Sequence, residues 1–193
     1  MINDEYKCIF IAIPRTATKT VRETFKLKNE WHCQTSEYSD SEFDNFFKFS
    51  FARNPWDRLV SVFFHQHGHT VDRDFNQYKN NVTFLDFVKN LTFDESLPRR
   101  IFDEQKQCIV PQFMLFSQLY WLNGKVDFIG KFENLQEDFN TICDKIGIPH
   151  QELPRTHKSD HKHYTEYYDE EIKQIVAEKY ATDIEYFGYK FGE

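Results

Sequence analysis

Two short segments of this 193-residue chain carry cations and hydroxyls at spacings suited to holding anions. In the first, the apolar run Cys8-Ile9-Phe10-Ile11-Ala12-Ile13 stops at Pro14 and gives way to Arg15-Thr16-Ala17-Thr18-Lys19-Thr20. Backbone N–H groups in such a turn, with the N-terminus of a following helix, can take a terminal phosphate. The three threonines can add hydroxyl donors, and Arg15 and Lys19 can add charge. The alternative is a plain strand–loop–helix joint with surface cations. In the second segment, Phe49-Ser50-Phe51-Ala52-Arg53-Asn54-Pro55-Trp56-Asp57-Arg58-Leu59-Val60-Ser61, Arg53 stands where a strand would end and Asn54-Pro55 where a helix would begin. An anion there meets a guanidinium fork and a helix N-terminus together. Ser61, two turns on, can add a hydroxyl. The alternatives are an Arg53–Asp57 ion pair and a packing role for Ser61; Arg58 reads as a member of a structural ion pair rather than a ligand contact. Two such sites on adjacent strand ends suit a ligand with phosphate at two separated positions. The first loop lacks glycine and any Gly-Lys-Ser/Thr triplet, which disfavours an ordinary nucleoside-triphosphate hydrolase.

These residues need strands to end where they stand. Residues 7–13 form a continuous apolar run and predict a buried parallel strand. Residues 18–28 predict a helix with Val21 and Phe25 on one face, 41–47 a short helix, and 48–52 a second strand. Asn54 as N-cap, Pro55 at the first helical position and Asp57 completing a capping box open the next helix, whose apolar face is Trp56, Leu59, Val60, Phe63 and Phe64. Residues 66–81 read as a polar surface loop, 83–91 as a short helix, 92–108 as irregular, 111–122 as helical and 126–131 as a third strand. Asn134, with Glu137 three residues on, predicts the start of a helix striped by Leu135, Phe139, Ile142 and Ile146 and stopped by Gly147 and Pro149. Residues 150–167 form a basic, His-rich loop, and 169–180 the last helix. Strands alternating with helices predict an α/β layer fold with a parallel sheet.

The length suits one domain with a sizeable core, and 40% hydrophobic with 28% charged residues reads as soluble and globular. No linker, repeat or low-complexity run divides the chain. A net charge of −7 argues against general nucleic-acid binding while allowing a local basic cleft. Of four cysteines, Cys8 and Cys143 fall in apolar patterns and read as reduced core residues; Cys33 and Cys108 add no zinc spacing. The 21 phenylalanines read as core packing, with an aromatic substrate groove as the alternative. Neither a leader nor a bilayer-spanning stretch is evident, so a cytoplasmic location without membrane contact is expected.

Pro14-Arg15-Thr16-Ala17-Thr18-Lys19-Thr20 resembles the 5′-phosphosulfate-binding loop of sulfotransferases. The segment from Arg53 to Ser61 resembles their 3′-phosphate-binding segment, and this match is highly specific. Phe128-Ile129-Gly130-Lys131-Phe132-Glu133-Asn134-Leu135-Gln136-Glu137-Asp138-Phe139, Tyr167-Tyr168-Asp169 and Phe187-Gly188-Tyr189 are similar to further stretches in the same order, so the resemblance covers most of the chain. The nearest kin look like Golgi-type carbohydrate sulfotransferases, including the heparan sulfate 2-O-sulfotransferase group, and their soluble bacterial relatives. The resemblance implies one sulfotransferase-like domain over 1–193, with a P-loop-NTPase-like three-layer fold in which helices flank a central parallel β-sheet. It implies 3′-phosphoadenosine-5′-phosphosulfate (PAPS) as donor, leaving the 3′,5′-bisphosphate (PAP). Arg53 and Ser61 would hold the 3′-phosphate; Arg15, Thr16, Ala17, Thr18, Lys19 and Thr20 would hold the 5′-phosphosulfate. The family usually has Lys at the position of Arg15. Lys can give a proton to the leaving oxygen, whereas Arg, with a pKa above ~12, only stabilises charge. Lys19 stands where the family has a small hydroxylated residue; it either substitutes for that lysine or points to solvent.

A base must take the acceptor hydroxyl's proton. His32 is the candidate, because related sequences place a His ahead of the second strand and an imidazole titrates near neutrality. The alternative is a surface His beside Trp31; Glu30 and Glu37 are weaker candidates. His65, His67 and His69 would share a face in an extended segment and could bind metal, but read better as a solvated loop. His157, Lys158, Ser159, His161, Lys162, His163 and Tyr164 form a basic patch in an acidic chain. It is either a loop closing over the ligands, with Lys158 and Ser159 on the donor, or a solvated surface. Gln112 is a weak acceptor-facing candidate. Three functions follow: a metal-independent sulfotransferase acting on a hydroxyl of a sugar or small metabolite, a PAP-binding module without transferase activity, and, less favoured, a phosphoryl-transfer enzyme. Overall acidity weakly disfavours a long polyanionic acceptor.

Overall fold

A computed structural model describes residues 1–27, 32, 34–35, 38, 40–68, 83–89, 112–122, 126–154 and 161–193. In chain order its regular elements are β1 (Ile2–Asn3), β2 (Cys8–Ile11), α1 (Thr18–Thr24), α2 (Asp40–Asn45), β3 (Phe47–Ala52), α3 (Pro55–Gly68), α4 (Phe84–Lys89), α5 (Gln118–Trp121), β4 (Phe128–Lys131), α6 (Leu135–Ile146), α7 (Glu170–Lys179) and α8 (Ala181–Phe187), with short 3₁₀ turns between some of them. They fall into two compact units: Met1–Arg53 with Gln118–Lys158, and Asn54–Ser117 with Ser159–Glu193.

The first unit is built on a four-stranded sheet of order β1-β2-β3-β4. β2, β3 and β4 are parallel, in register Cys8↔Phe47, Ile11↔Ser50, Phe49↔Phe128 and Ala52↔Lys131. The expected all-parallel sheet is thus corrected to a mixed one: Ile2–Asn3, too short to show a pattern, adds an antiparallel edge on Cys8 and Ile9. Every residue of β2 is buried, as a strand covered on both faces must be. Phe10, Phe25, Phe49, Phe51 and Phe139 fill the core, with Phe10 stacked on Phe49 at 5.2 Å and Phe25 against Phe139 at 4.7 Å. Cys8 and Cys143 lie in the same core as free thiols. Phe51 also explains Gly130: a Cβ there would stand 2.5 Å from its ring.

Local signals set most element ends. α1 stops at Thr24, earlier than its pattern, because Lys26 turns left-handed (φ 49°) and the Leu27 N–H reaches back to Arg22 O at 2.9 Å. Gly147 closes α6 with φ 76°. Asn134 does not cap α6 through its side chain; a 3₁₀ turn, Phe132–Asn134, feeds straight into that helix.

The second unit packs α3, α4 and α7 around Trp56, Leu59, Val60, Phe63, Phe84, Phe87, Ile172 and Val176. Asn54 opens α3 by accepting the Trp56 N–H on Oδ1 at 3.1 Å. α3 then runs to Gly68, further than expected. His65 and His67 are therefore helical, where residues two apart do not share a face, and the extended arrangement imagined for them does not exist; His69 lies outside the described residues. Thr83 and Asp86 form a reciprocal capping box at α4. The single helix expected over 111–122 is broken between a 3₁₀ turn at Gln112–Met114 and α5. Arg58 Nη2 donates to Met114 O and Phe116 O, both at 2.8 Å, taking carbonyls that a continuous helix would have used. Asp169 caps α7 by accepting the Ile172 N–H at 2.8 Å, and α8 follows unforeseen. No helix among the described residues is long and apolar enough to cross a membrane.

Candidate active site

The carboxyl ends of β2 and β3 carry the first unit's polar cluster. β2 ends at Ile11 and the next residues leave the sheet, so their carbonyls need other partners. Ile13 O receives two: Thr16 Oγ1 at 2.9 Å and Thr18 Oγ1 at 2.8 Å. Each hydroxyl has one hydrogen, and both are given to the loop's own backbone. Thr16, wholly buried, and Thr18 therefore brace the loop from within. Thr20 is also buried, at 8% exposure. The loop holds two non-glycine residues in left-handed backbone, Arg15 at φ 70° and Ala17 at φ 62°. Such residues cost about 1–2 kcal/mol each and persist where the surroundings over-determine them. Ala17 stands at the start of α1, which has no side-chain cap.

Arg15 and Arg53 come together here. Arg53, at the end of β3 and 8% exposed, donates from Nη1 to the Arg15 carbonyl at 3.1 Å. Its guanidinium lies over the Phe132 ring at 4.0 Å from the centroid. Its backbone is gripped on both sides by the Gln118 amide: Arg53 N donates to Oε1 and Nε2 donates to Arg53 O, each at 2.9 Å. Burial, and then the charge of Arg53, push the Arg15 guanidinium down from its ordinary range to about 10. It therefore remains a cation at neutral pH, and two like charges are held in a mostly buried setting. A fixed pair of this kind suits an anion that neutralises both.

His32 is half-buried and anchored at the same strand end. Its Nδ1 lies 2.6 Å from Ala12 O, and its ring is 5.8 Å from Trp121. A carbonyl only accepts, so Nδ1 carries the hydrogen of the neutral ring and Nε2 keeps the lone pair. Lys19 is half-exposed on α1, 3.8 Å from Glu23 Oε1. An exposed pair of this kind is worth about 0.3–0.5 kcal/mol.

In the second unit, Ser61 lies within α3 and is 1% exposed. Arg58, equally buried, donates to the carbonyls of Met114 and Phe116. Lys158 and Ser159, with Glu30, Trp31, Glu37 and His157, lie outside the described residues. His161 is described: its ring stacks on Phe64 at 5.2 Å. Gln118 and Phe132 were missed by sequence reasoning. Phe132 was readable as the residue after a strand end; nothing local marks Gln118.

The model of the sulfotransferase family matches residues 1–190. An uncharacterized protein of Archaeoglobus fulgidus is 32% identical over 109 residues, 56% of this chain and 74% of that one. Carbohydrate sulfotransferase 14 of Danio rerio is 23% identical over 98% of this chain, which covers 61% of the length of that relative. No solved structure matches the chain.

Proposed function

The chain belongs to the sulfotransferase family, and from that premise we propose that it transfers a sulfuryl group from PAPS to a hydroxyl of a carbohydrate or small metabolite. The observation that carries the proposal is the approach of Arg15, half-buried, and Arg53, buried, at the carboxyl ends of β2 and β3. Like charges repel, and a dianionic group between or beside them relieves that repulsion. The residues present therefore fit a donor rich in phosphate.

The donor supplies an activated sulfuryl group; this chain's residues supply placement and charge. Arg53, over the Phe132 ring, holds the 3′-phosphate, with Ser61 as the hydroxyl expected to join it. The loop Arg15–Thr20 holds the 5′-phosphosulfate through its backbone, which Thr16 and Thr18 keep in shape. Lys158 and Ser159 complete the donor contacts in this reading. His32 takes the acceptor hydroxyl's proton on Nε2, because Ala12 O keeps the hydrogen on Nδ1. As the new O–S bond forms and the S–O bond to phosphate breaks, Arg15 neutralises the charge left on the phosphate oxygen, with Lys19 as the second cation proposed for that role. The carbohydrate acceptor is supported by the name of the Danio rerio relative. Three parallel strands with the loop directly after β2 support a P-loop-NTPase-like three-layer fold, and the family match through both units supports treating 1–193 as one domain.

The test is calorimetry of the purified chain with PAP, followed by transfer of labelled sulfate from PAPS to a panel of sugars and small alcohols. Binding with transfer supports the proposal, and absence of PAP binding refutes it. One observation favours a second reading, a PAP-binding module: Arg15 keeps its proton at neutral pH and cannot serve as an acid. That reading predicts PAP binding with no transfer to any acceptor.

A further inference from the structure

We propose that Gln118 is the positioning residue that sets Arg53, and through it the protein's preference for nucleotides carrying a 3′-phosphate; this rests on the donor reading above. Gln118 is wholly buried, and its amide bonds both backbone groups of one residue: Oε1 accepts the Arg53 N–H and Nε2 donates to the Arg53 carbonyl, both at 2.9 Å. This two-point grip does what a sheet partner would do, at the place where β3 stops after Ala52 and the ladder to Lys131 ends. A backbone satisfied on both sides is held in plane, so the Cα–Cβ direction of Arg53 is set before any ligand arrives. Phe132 then bounds one face of the guanidinium and Arg15 O takes one of its hydrogens. What Gln118 adds is the origin from which that long side chain is aimed. An error of a few degrees there moves a guanidinium by a good part of an ångström, enough to spoil a two-point contact with phosphate.

The geometry also makes Gln118 specific. Oxygen and nitrogen must both be present on one planar group, which Glu, Met and Leu cannot reproduce. It sits on α5, the turn that also carries Trp121 against His32, so replacing it tests one function of that turn while leaving the other in place.

The test uses the full chain and two probes, PAP and adenosine 5′-monophosphate, which differ by the 3′-phosphate. Wild-type protein prefers PAP. Gln118→Met keeps the volume and loses both bonds; it lowers PAP affinity about tenfold or more while 5′-monophosphate affinity stays within about twofold. In turnover, KM for PAPS rises and kcat changes little. If Gln118→Met does not fold, Gln118→Glu keeps the acceptor for the Arg53 N–H and loses only the donor, and the same fall in the PAP to monophosphate ratio is expected. A purely structural Gln118 would lower the melting temperature and leave that ratio unchanged in whichever variant folds, which overturns the inference alone. Wild-type protein that fails to bind PAP overturns the donor reading and the inference together.

Discussion

Arg15 carries a charge that its surroundings resist, and that resistance can be measured. Its pKa is depressed to about 10 by burial and by Arg53. For a base with a depressed folded-state pKa, folding favours the neutral form. The charge therefore costs stability at every pH below about 10, and the cost fades as the pH rises from 10 towards the ordinary arginine range. Arg15→Gln should raise the melting temperature of the ligand-free protein, by the equivalent of about 1 kcal/mol, while weakening PAP binding. Thermal stabilisation by PAP should hold through neutral pH and decline above pH 10, where Arg15 loses its charge; a shift that persists in strong alkali would contradict this. His32 answers to a different measurement. His32→Gln should cut kcat by about 10²–10⁴ and leave PAP affinity nearly unchanged, because the proposed base touches the acceptor rather than the donor. Equal losses in both would move His32 into donor binding.

At the scale of elements, the loop between β2 and α1 stores strain that one methyl group controls. Ala17 sits at φ 62°, where its Cβ is disfavoured and a glycine would not be. Ala17→Gly should stabilise the protein by up to about 1 kcal/mol in denaturant titration, the relieved strain outweighing the added chain entropy. A loss of stability would show that the loop's φ is set otherwise. Gly130 on β4 is the opposite case: its Cβ would meet the Phe51 ring at 2.5 Å and Asp138 Cβ at 2.9 Å. Gly130→Ala should cost about 1–3 kcal/mol by overpacking, read as a lowered melting temperature. Much at this scale is legible in sequence, because strand runs, Asn54-Pro55, Asp169 and Gly147 act on neighbours within a few residues. The failures are equally physical. The helix expected over 111–122 lost its carbonyls to Arg58, a residue 56 and 58 positions away from them.

The whole molecule sets an acidic chain of net charge −7 against a local pair of cations. In the proposed reading, donor binding comes from short-range contact with Arg15 and Arg53 rather than from a basic surface. PAP affinity should therefore fall with added salt much less steeply than for a protein that binds polyanions through an extended face; calorimetry across salt concentrations checks this. The chain leaves the first unit after Arg53 and re-enters it at Gln118, and those residues are bonded to each other. Described phenylalanines fill two cores, one in each unit: Phe10, Phe25, Phe49, Phe51 and Phe139 in the first, and Phe63, Phe84 and Phe87 in the second.

Sequence alone was enough for the end of β3 at Ala52, the candidate anion-binding segments and the family they resemble, since those depend on residue type and short-range spacing. It could not decide which threonine hydroxyls turn inward to Ile13 O, which nitrogen of His32 holds its hydrogen, or that Gln118 grips Arg53 from 65 positions away. Each of those rests on one group finding another across a long stretch of chain. No local pattern encodes such a meeting, and it exists once the sheet has brought the strand ends together.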